Sequence, residues 1–256
     1  MRRHNADTLP RRTRRVSEQR YLPDDEYTRE FEAEVTSVDE TGRTAVLDGT
    51  YFYKEGGGQP ADHGSLSWDD SSARVVDVRQ DHGEIRHTLE GDLPEPGTTV
   101  HGDLDWDRRY AHMRYHTAQH VVSKVVLDEF DASTAGNQIH ADRARIDFEP
   151  AHFDAEDLRT IERLSNDLIE RDLPVEKSRR SRDALEAETL DGRTNLDLVP
   201  DHVDPLRAVT IGDVDVCPCG GTHVDNLGEL GEIEIVERTS KGADVERIEF
   251  VLADPD

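Results

Sequence analysis

Two ligand pairs constrain this chain more than any other feature: His116 and His120 stand four residues apart, and far downstream Cys219 and His223 repeat that spacing. On a helix, residues at i and i+4 share a face, so the first pair can turn both imidazoles toward one ion. The surrounding stretch, Arg109 to Phe130, lacks Gly and Pro and ends in the apolar run Val121, Val122, Val125, Val126, Leu127, which predicts a long helix beginning near Asp107. The second pair lies in Cys219-Gly220-Gly221-Thr222-His223, whose two glycines predict a tight loop.

The first pair alone is weak evidence. With 12 histidines in 256 positions, about half of one His-x-x-x-His pair is expected by chance, and His112 forms a competing pair with His116. From two cysteines, chance supplies only about 0.1 Cys-x-x-x-His pairs. One thiol and three imidazoles then make a ligand set suited to one zinc ion per chain, borderline-soft and indifferent to geometry. His112 is expected on the helix surface, a ligand or supporting role being the alternative. Cys217 reads as a small packed thiol and is too near Cys219 for an ordinary structural disulfide. The metalloprotease helix motif places Glu directly after its first His. Here Thr117 follows His116, which disfavours peptidase chemistry.

Around these pairs the chain divides into three parts. Residues 1–25 are polar, hold Arg2, Arg3, Arg11, Arg12, Arg14, Arg15 and Arg20, and read as a disordered Arg-rich tail. Residues 26–105 show short alternating segments such as Phe31-Glu32-Ala33-Glu34-Val35 and Thr44-Ala45-Val46-Leu47, cut by Gly, Asp and Pro, which predicts a small β-barrel domain. Residues 106–256 predict an α+β domain. Its second helix runs from Asp154, an N-cap, to Arg171, with strands at 208–211, 232–236 and 246–251. The basic cluster Lys177-Ser178-Arg179-Arg180-Ser181-Arg182 reads either as a solvated loop after that helix or as a phosphate contact.

Composition narrows the setting. No apolar run approaches the ~20 residues of a membrane span, and Arg2-Arg3 is followed by polar residues, so no membrane partner is expected and the cytoplasm is the expected location. The formal charge is -26, from 57 acidic against 31 basic residues, with Lys54, Lys124, Lys177 and Lys241 as the lysines. Such charge opposes a nucleic-acid partner at low salt. In a halophilic setting of ~1 M salt the Debye length falls to ~3 Å and that repulsion is screened. The lysine-poor acidity is therefore read as salt adaptation.

The motifs in order resemble the editing domain of alanyl-tRNA synthetase and, over the length of the chain, the freestanding trans-editing proteins called AlaX. Tyr51 through Asp62, containing Gly56-Gly57-Gly58-Gln59, is similar to that family's glycine-rich motif. Asp105-Trp106-Asp107-Arg108-Arg109 leads into Met113 through His120, similar to its first metal motif, and Pro218 through Val224 to its second. Ile161-Glu162 and Asn166 echo its long helix, and Gly242 through Phe250 its closing strand. Cys217 and the tail lie outside the resemblance. No aminoacylation or anticodon-binding segment is recognisable, and the length leads us to expect something other than a complete synthetase.

The resemblance implies a small β-barrel followed by an α+β zinc-containing domain, zinc held by His116, His120, Cys219 and His223, and hydrolysis of seryl- or glycyl-tRNA bearing the alanine anticodon. The Gly56-Gly57-Gly58 run permits close backbone approach to the tRNA end or the aminoacyl group, making Gly56, Gly57, Gly58 and Gln59 candidate substrate contacts, with a plain turn as the alternative. Candidate readers of a serine hydroxyl are Thr117, Thr222 and Gln138, the last because Gly136-Asn137-Gln138-Ile139 resembles an active-site strand, an ordinary surface Gln being the alternative for Gln138. Arg108, Arg109, Arg114, Lys177, Arg179, Arg180 and Arg182 are the candidate tRNA contacts. Zinc either activates a water or anchors the substrate. Two other functions compete: a non-catalytic zinc-stabilised tRNA-binding module, and a deacylase acting on seryl-tRNA of threonine.

Overall fold

In the computed structural model, which describes residues 17–189, 192–193, 200 and 203–253, the alternating segments of the first half close on themselves. The strands are β1 (Glu18–Gln19), β2 (Glu30–Asp39), β3 (Thr44–Leu47), β4 (Gly49–Thr50), β5 (Gly64–Trp68), β6 (Ser71–Asp81), β7 (Glu84–Gly91) and β8 (Thr99–Leu104). Six form a closed antiparallel barrel in the order β2-β3-β7-β6-β5-β8. The two-residue side-chain period decides what faces inward. Strand β2 buries Phe31, Ala33 and Val35 and exposes Glu30, Glu32 and Glu34, and its apolar side meets Leu66, Val75, Val78, Ile85, Leu89 and Val100.

The disordered tail expected over residues 1–25 does not hold for residues 17–25, which are structured. Residues 1–16, with six of its seven arginines, lie outside the described residues. Residues 17–25 pack against the barrel instead. Strand β1 pairs in parallel with β4, the Ser17 hydroxyl donates to Leu47 O at 2.7 Å, and the Tyr21 ring is buried. A single aromatic anchor in a polar run carries no periodicity, so local pattern misses it.

The second part begins with α1 (Trp106–Phe130), capped by the Asp105 side chain, which accepts from Arg108 N. Every residue of α1 from Tyr115 to Val126 is buried. A helix enclosed on all sides shows no polar face. It is followed by β9 (Ser133–Ile139), β10 (Ala144–Glu149), α2 (Ala155–Glu170), β11 (Val175–Arg180), α3 (Arg182–Glu188), β12 (Leu206–Ile211), β13 (Asp215–Pro218), β14 (Ile233–Ser240) and β15 (Glu246–Leu252). These form a four-stranded sheet, β14-β15-β10-β9, and a three-stranded one, β11-β12-β13, both antiparallel. The N-cap of α2 is Asp154, as its sequence predicts, and it forms a reciprocal capping box with Asp157. Leu158, Leu164 and Leu168 pack against the same core as α1.

The basic cluster is not a loop. Lys177, Arg179 and Arg180 belong to the edge strand β11, and Arg182 opens α3 behind the Ser181 cap. Among the described residues no helix is long and apolar enough to cross a membrane.

Candidate metal centre at the barrel seam

The enclosed middle of α1 presents His116 and His120 toward the loop that follows β13. Together with Cys219 and His223 they form a cluster whose ligand atoms all lie within 4.8 Å of one another. Cys219 Sγ is 3.5 Å from His116 Nε2 and 3.3 Å from His223 Nε2. Donors bonded to one tetrahedral ion at ~2.0–2.3 Å stand roughly 3.5 Å apart, so these four side chains can hold a metal ion without large rearrangement. Burial, foremost, holds all three imidazoles well below their ordinary pKa and hence neutral, as ligation requires. Burial also pushes the Cys219 thiol up to about 11, so binding an ion must displace its proton.

The loop bearing Cys219 is shaped by its glycines and by one arginine. A Cβ at Gly221 would fall 1.9 Å from His116 Cε1, so only glycine lets the loop approach the helix this closely. Arg207 Nη1 donates to Cys219 O at 2.9 Å and Gly221 O at 2.8 Å, while its Nε reaches Pro23 O at 2.7 Å and its Nη2 pairs with the buried Glu26. One side chain therefore binds the ligand loop to the segment preceding the barrel.

Around the ligands stand buried polar partners. His116 Nδ1 lies 2.8 Å from Gln59 Oε1. Thr117 Oγ1 donates to Met113 O at 2.9 Å, accepts from Val224 N at 3.2 Å, and lies 3.1 Å from His223 Nδ1. A hydroxyl has one proton, already committed, so His223 Nδ1–H donates and its Nε2 lone pair faces the cluster. His120 Nδ1 is 4.0 Å from Asp215 Oδ2, and Asp215 is clasped by Arg193 through Nε at 2.9 Å and Nη2 at 2.6 Å.

The cluster borders a cavity of about 480 Å³ lined by residues of both halves, among them Tyr21, Tyr53, Lys54, Gly57, Gln119, Thr134, Asn137, Arg193 and Cys217. Gln119 and Asn137 are joined at 3.1 Å, and Gln119 and Thr134 both bond the Ser123 hydroxyl, at 3.0 and 2.9 Å. A Cβ at Gly58, whose φ is +82°, would fall 2.9 Å from Asn137 O. That glycine lets the barrel loop dock on β9, where Ile139 N donates to Gly58 O at 2.8 Å.

Several sequence-predicted site residues stand elsewhere than expected. Asn137 lines the cavity, and Gln138, its neighbour on β9, bonds Arg145 instead. Thr117 and Thr222 are fully buried, the one bonded to His223 and the other to Gln59, so neither hydroxyl reaches the cavity. Gln59 is itself buried behind His116. His112, expected on the helix surface, is fully buried, held neutral by burial with its pKa near 3. Cys217 is a packed thiol on the cavity wall.

The basic residues divide similarly. Arg109 is fully buried against Asp62, and Lys177 is buried against Asp225. Their charges are spent inside the protein. Arg108 donates to Ala61 O at 3.2 and 3.1 Å, and Arg114 to Leu230 O at 2.7 Å and Ala253 O at 2.8 Å. Arg180 pairs with Glu188 and Arg182 bonds Pro200 O at 3.1 Å, while Arg179 is exposed. Sequence reasoning missed Arg207, Arg193 and Asp215, because nothing in their local surroundings marks them.

Two family models match the chain: the threonyl and alanyl tRNA synthetase second additional domain over residues 206–249, and the class II (A) tRNA synthetases over residues 21–108. Similar relatives include the alanyl-tRNA editing protein AlaX-M of Methanosarcina barkeri, 38% identical over 89% of this chain and 96% of that protein. AlaX-L of Pyrococcus horikoshii is 39% identical over 88% of this chain and 56% of its own length. The alanine–tRNA ligase of Methanopyrus kandleri is 40% identical over 90% of this chain, which spans 26% of that enzyme.

Proposed function

Because this chain belongs to the AlaX family of alanyl-tRNA editing proteins, we propose that it is a zinc-dependent hydrolase clearing serine or glycine from mischarged alanine tRNA. It is an aminoacyl-tRNA deacylase. The observation that carries the zinc and hydrolase reading is the cluster of three imidazoles and one thiol on the wall of a cavity shared by both halves. Its mixed N and S donors suit zinc. A bound zinc supplies Lewis acidity at that wall.

The chain's own residues do the rest. Deacylation adds water to the carbonyl carbon, breaks the ester bond, and returns a proton to the ribose oxygen. Gln119, Thr134 and Asn137 offer polar atoms to a serine hydroxyl, while correctly attached alanine would leave such a site unpaired. A hydroxyl check is needed for serine because an alanine pocket rejects an added hydroxyl only weakly, and glycine, which that pocket cannot exclude by size, must be cleared by other means. Phosphate contacts fall to Arg179, Arg180 and Arg182 and to the arginines of the N-terminal segment, rather than to the internally paired Arg109 and Lys177. The acidic surface is an adaptation to concentrated salt in the cytoplasm.

Seryl-, glycyl- and alanyl-tRNA built on alanine tRNA, incubated with the protein in high salt, test this directly. Serine or glycine esters should be lost while alanyl-tRNA survives. Loss no faster than in buffer overturns the hydrolase, and equal loss of serine from threonine tRNA removes the alanine assignment. Cys219→Ala should lower bound zinc and deacylation together.

A further inference from the structure

We infer that Gln59 is a positioning residue: it fixes the tautomer of His116, so that the barrel half directs a metal-site ligand on the other half. The inference rests on the metal-centre reading above and goes beyond it. The side chain is 1% exposed, on the loop that follows Gly58, and both ends of its amide are engaged. Thr222 N, a backbone donor that cannot reverse its role, points at Gln59 Oε1 at 3.1 Å. That bond settles which end of the amide is oxygen. The opposite end, Nε2, then donates to Thr222 Oγ1 at 2.9 Å.

With the oxygen placed, His116 has one option. Its Nδ1 lies 2.8 Å from Gln59 Oε1, which only accepts, so Nδ1 carries the proton. The lone pair is left on Nε2, the atom facing Cys219 Sγ at 3.5 Å. The same amide thus binds the loop of the second ligand pair, through Thr222, to the helix of the first, through His116. Both lone pairs of its oxygen are used within the protein, so little remains for a substrate. A histidine ligand whose other nitrogen donates to a fixed acceptor is oriented and more basic, and removing such acceptors typically costs about 10–100-fold in metal affinity.

The direct test needs no substitution. In the zinc-loaded wild-type protein labelled with 15N-histidine, long-range 1H–15N spectra should show His116 protonated at Nδ1 and metal-bound through Nε2. A proton on Nε2 overturns the inference. In competition with a chromogenic chelator, Gln59→Met should bind zinc about 10–100-fold more weakly. Gln59→Glu, which keeps an acceptor for both Nδ1–H and Thr222 N–H, should restore affinity to within about tenfold of wild type. Unchanged zinc affinity in Gln59→Met, with a raised KM for mischarged tRNA, would make Gln59 a substrate contact and overturn the inference while leaving the metal centre intact. Failure of the wild type to bind zinc would instead overturn the metal reading itself.

Discussion

Inside the barrel, Leu66, Val75, Val78, Ile85 and Leu89 fill the core with apolar contact. At the seam with the second half, the equally buried side chains are Gln59, Asp62, Arg109, His116 and Thr222. The barrel core gains from removing hydrocarbon from water and is indifferent to direction. The seam gains little net energy from its polar groups, but each demands a partner at one distance and angle. Arg109 alone joins Asp62, Glu26 O and Tyr51 O, and so ties three segments to α1. Stability is lodged in the one region, and the relative position of ligand and cavity in the other.

The comparison breaks most sharply at Arg109. Arg109→Met removes the cation and leaves the Asp62 carboxylate, fully buried, with Tyr53 N at 2.6 Å as its remaining donor. An uncompensated buried charge costs about 3–5 kcal/mol. Urea unfolding should show a loss of this size, and the double variant Arg109→Met/Asp62→Leu should recover part of it. A single-variant cost near that of a surface substitution would show that the seam is not built on this pair. In the barrel, Leu66→Ala should cost about 3 kcal/mol through lost burial and a residual cavity. Zinc affinity should be unchanged in that variant. A coupled loss of zinc would mean that the two regions do not divide the work as described.

The same division governs what the sequence discloses. The strands of the barrel were legible because alternation is local: Glu30 to Val35 spells its inward and outward faces residue by residue. The cap of α2 and the clustering of His116, His120, Cys219 and His223 were legible for similar reasons, informative residue types at short fixed spacing. The seam was not. Gln59 meets its partners 57 and 163 residues away, and Arg109 meets Asp62 across 47. Charge taken alone places Arg109 and Lys177 on the surface among the tRNA contacts. Only their distant carboxylates explain why both lie inside. On β9 the sequence draws attention to Gln138, but adjacent strand residues face opposite ways, and it is Asn137 that lines the cavity while Gln138 bonds Arg145.

The smallest predicted effect lies outside both regions and calibrates them. Asp147 and Arg247 face each other across the β10–β15 pair, joined by two hydrogen bonds of 2.6 and 2.7 Å. Each side chain keeps roughly a quarter of its surface in solvent. The bonds from Arg247, foremost, lower the Asp147 pKa below the ordinary 3.8. A depressed carboxylate stabilises the fold above the unfolded value and loses that contribution as pH falls through the lower folded value. Solvent screening keeps the pair below about 1 kcal/mol. The stability difference between wild type and Arg247→Met should therefore be small at neutral pH and close toward zero as pH falls below the ordinary 3.8 and through the depressed folded value. A difference that persists unchanged at low pH would assign the effect to packing of the arginine stem, and one as large as that of Arg109→Met would erase the contrast between a buried seam and an exposed ion pair.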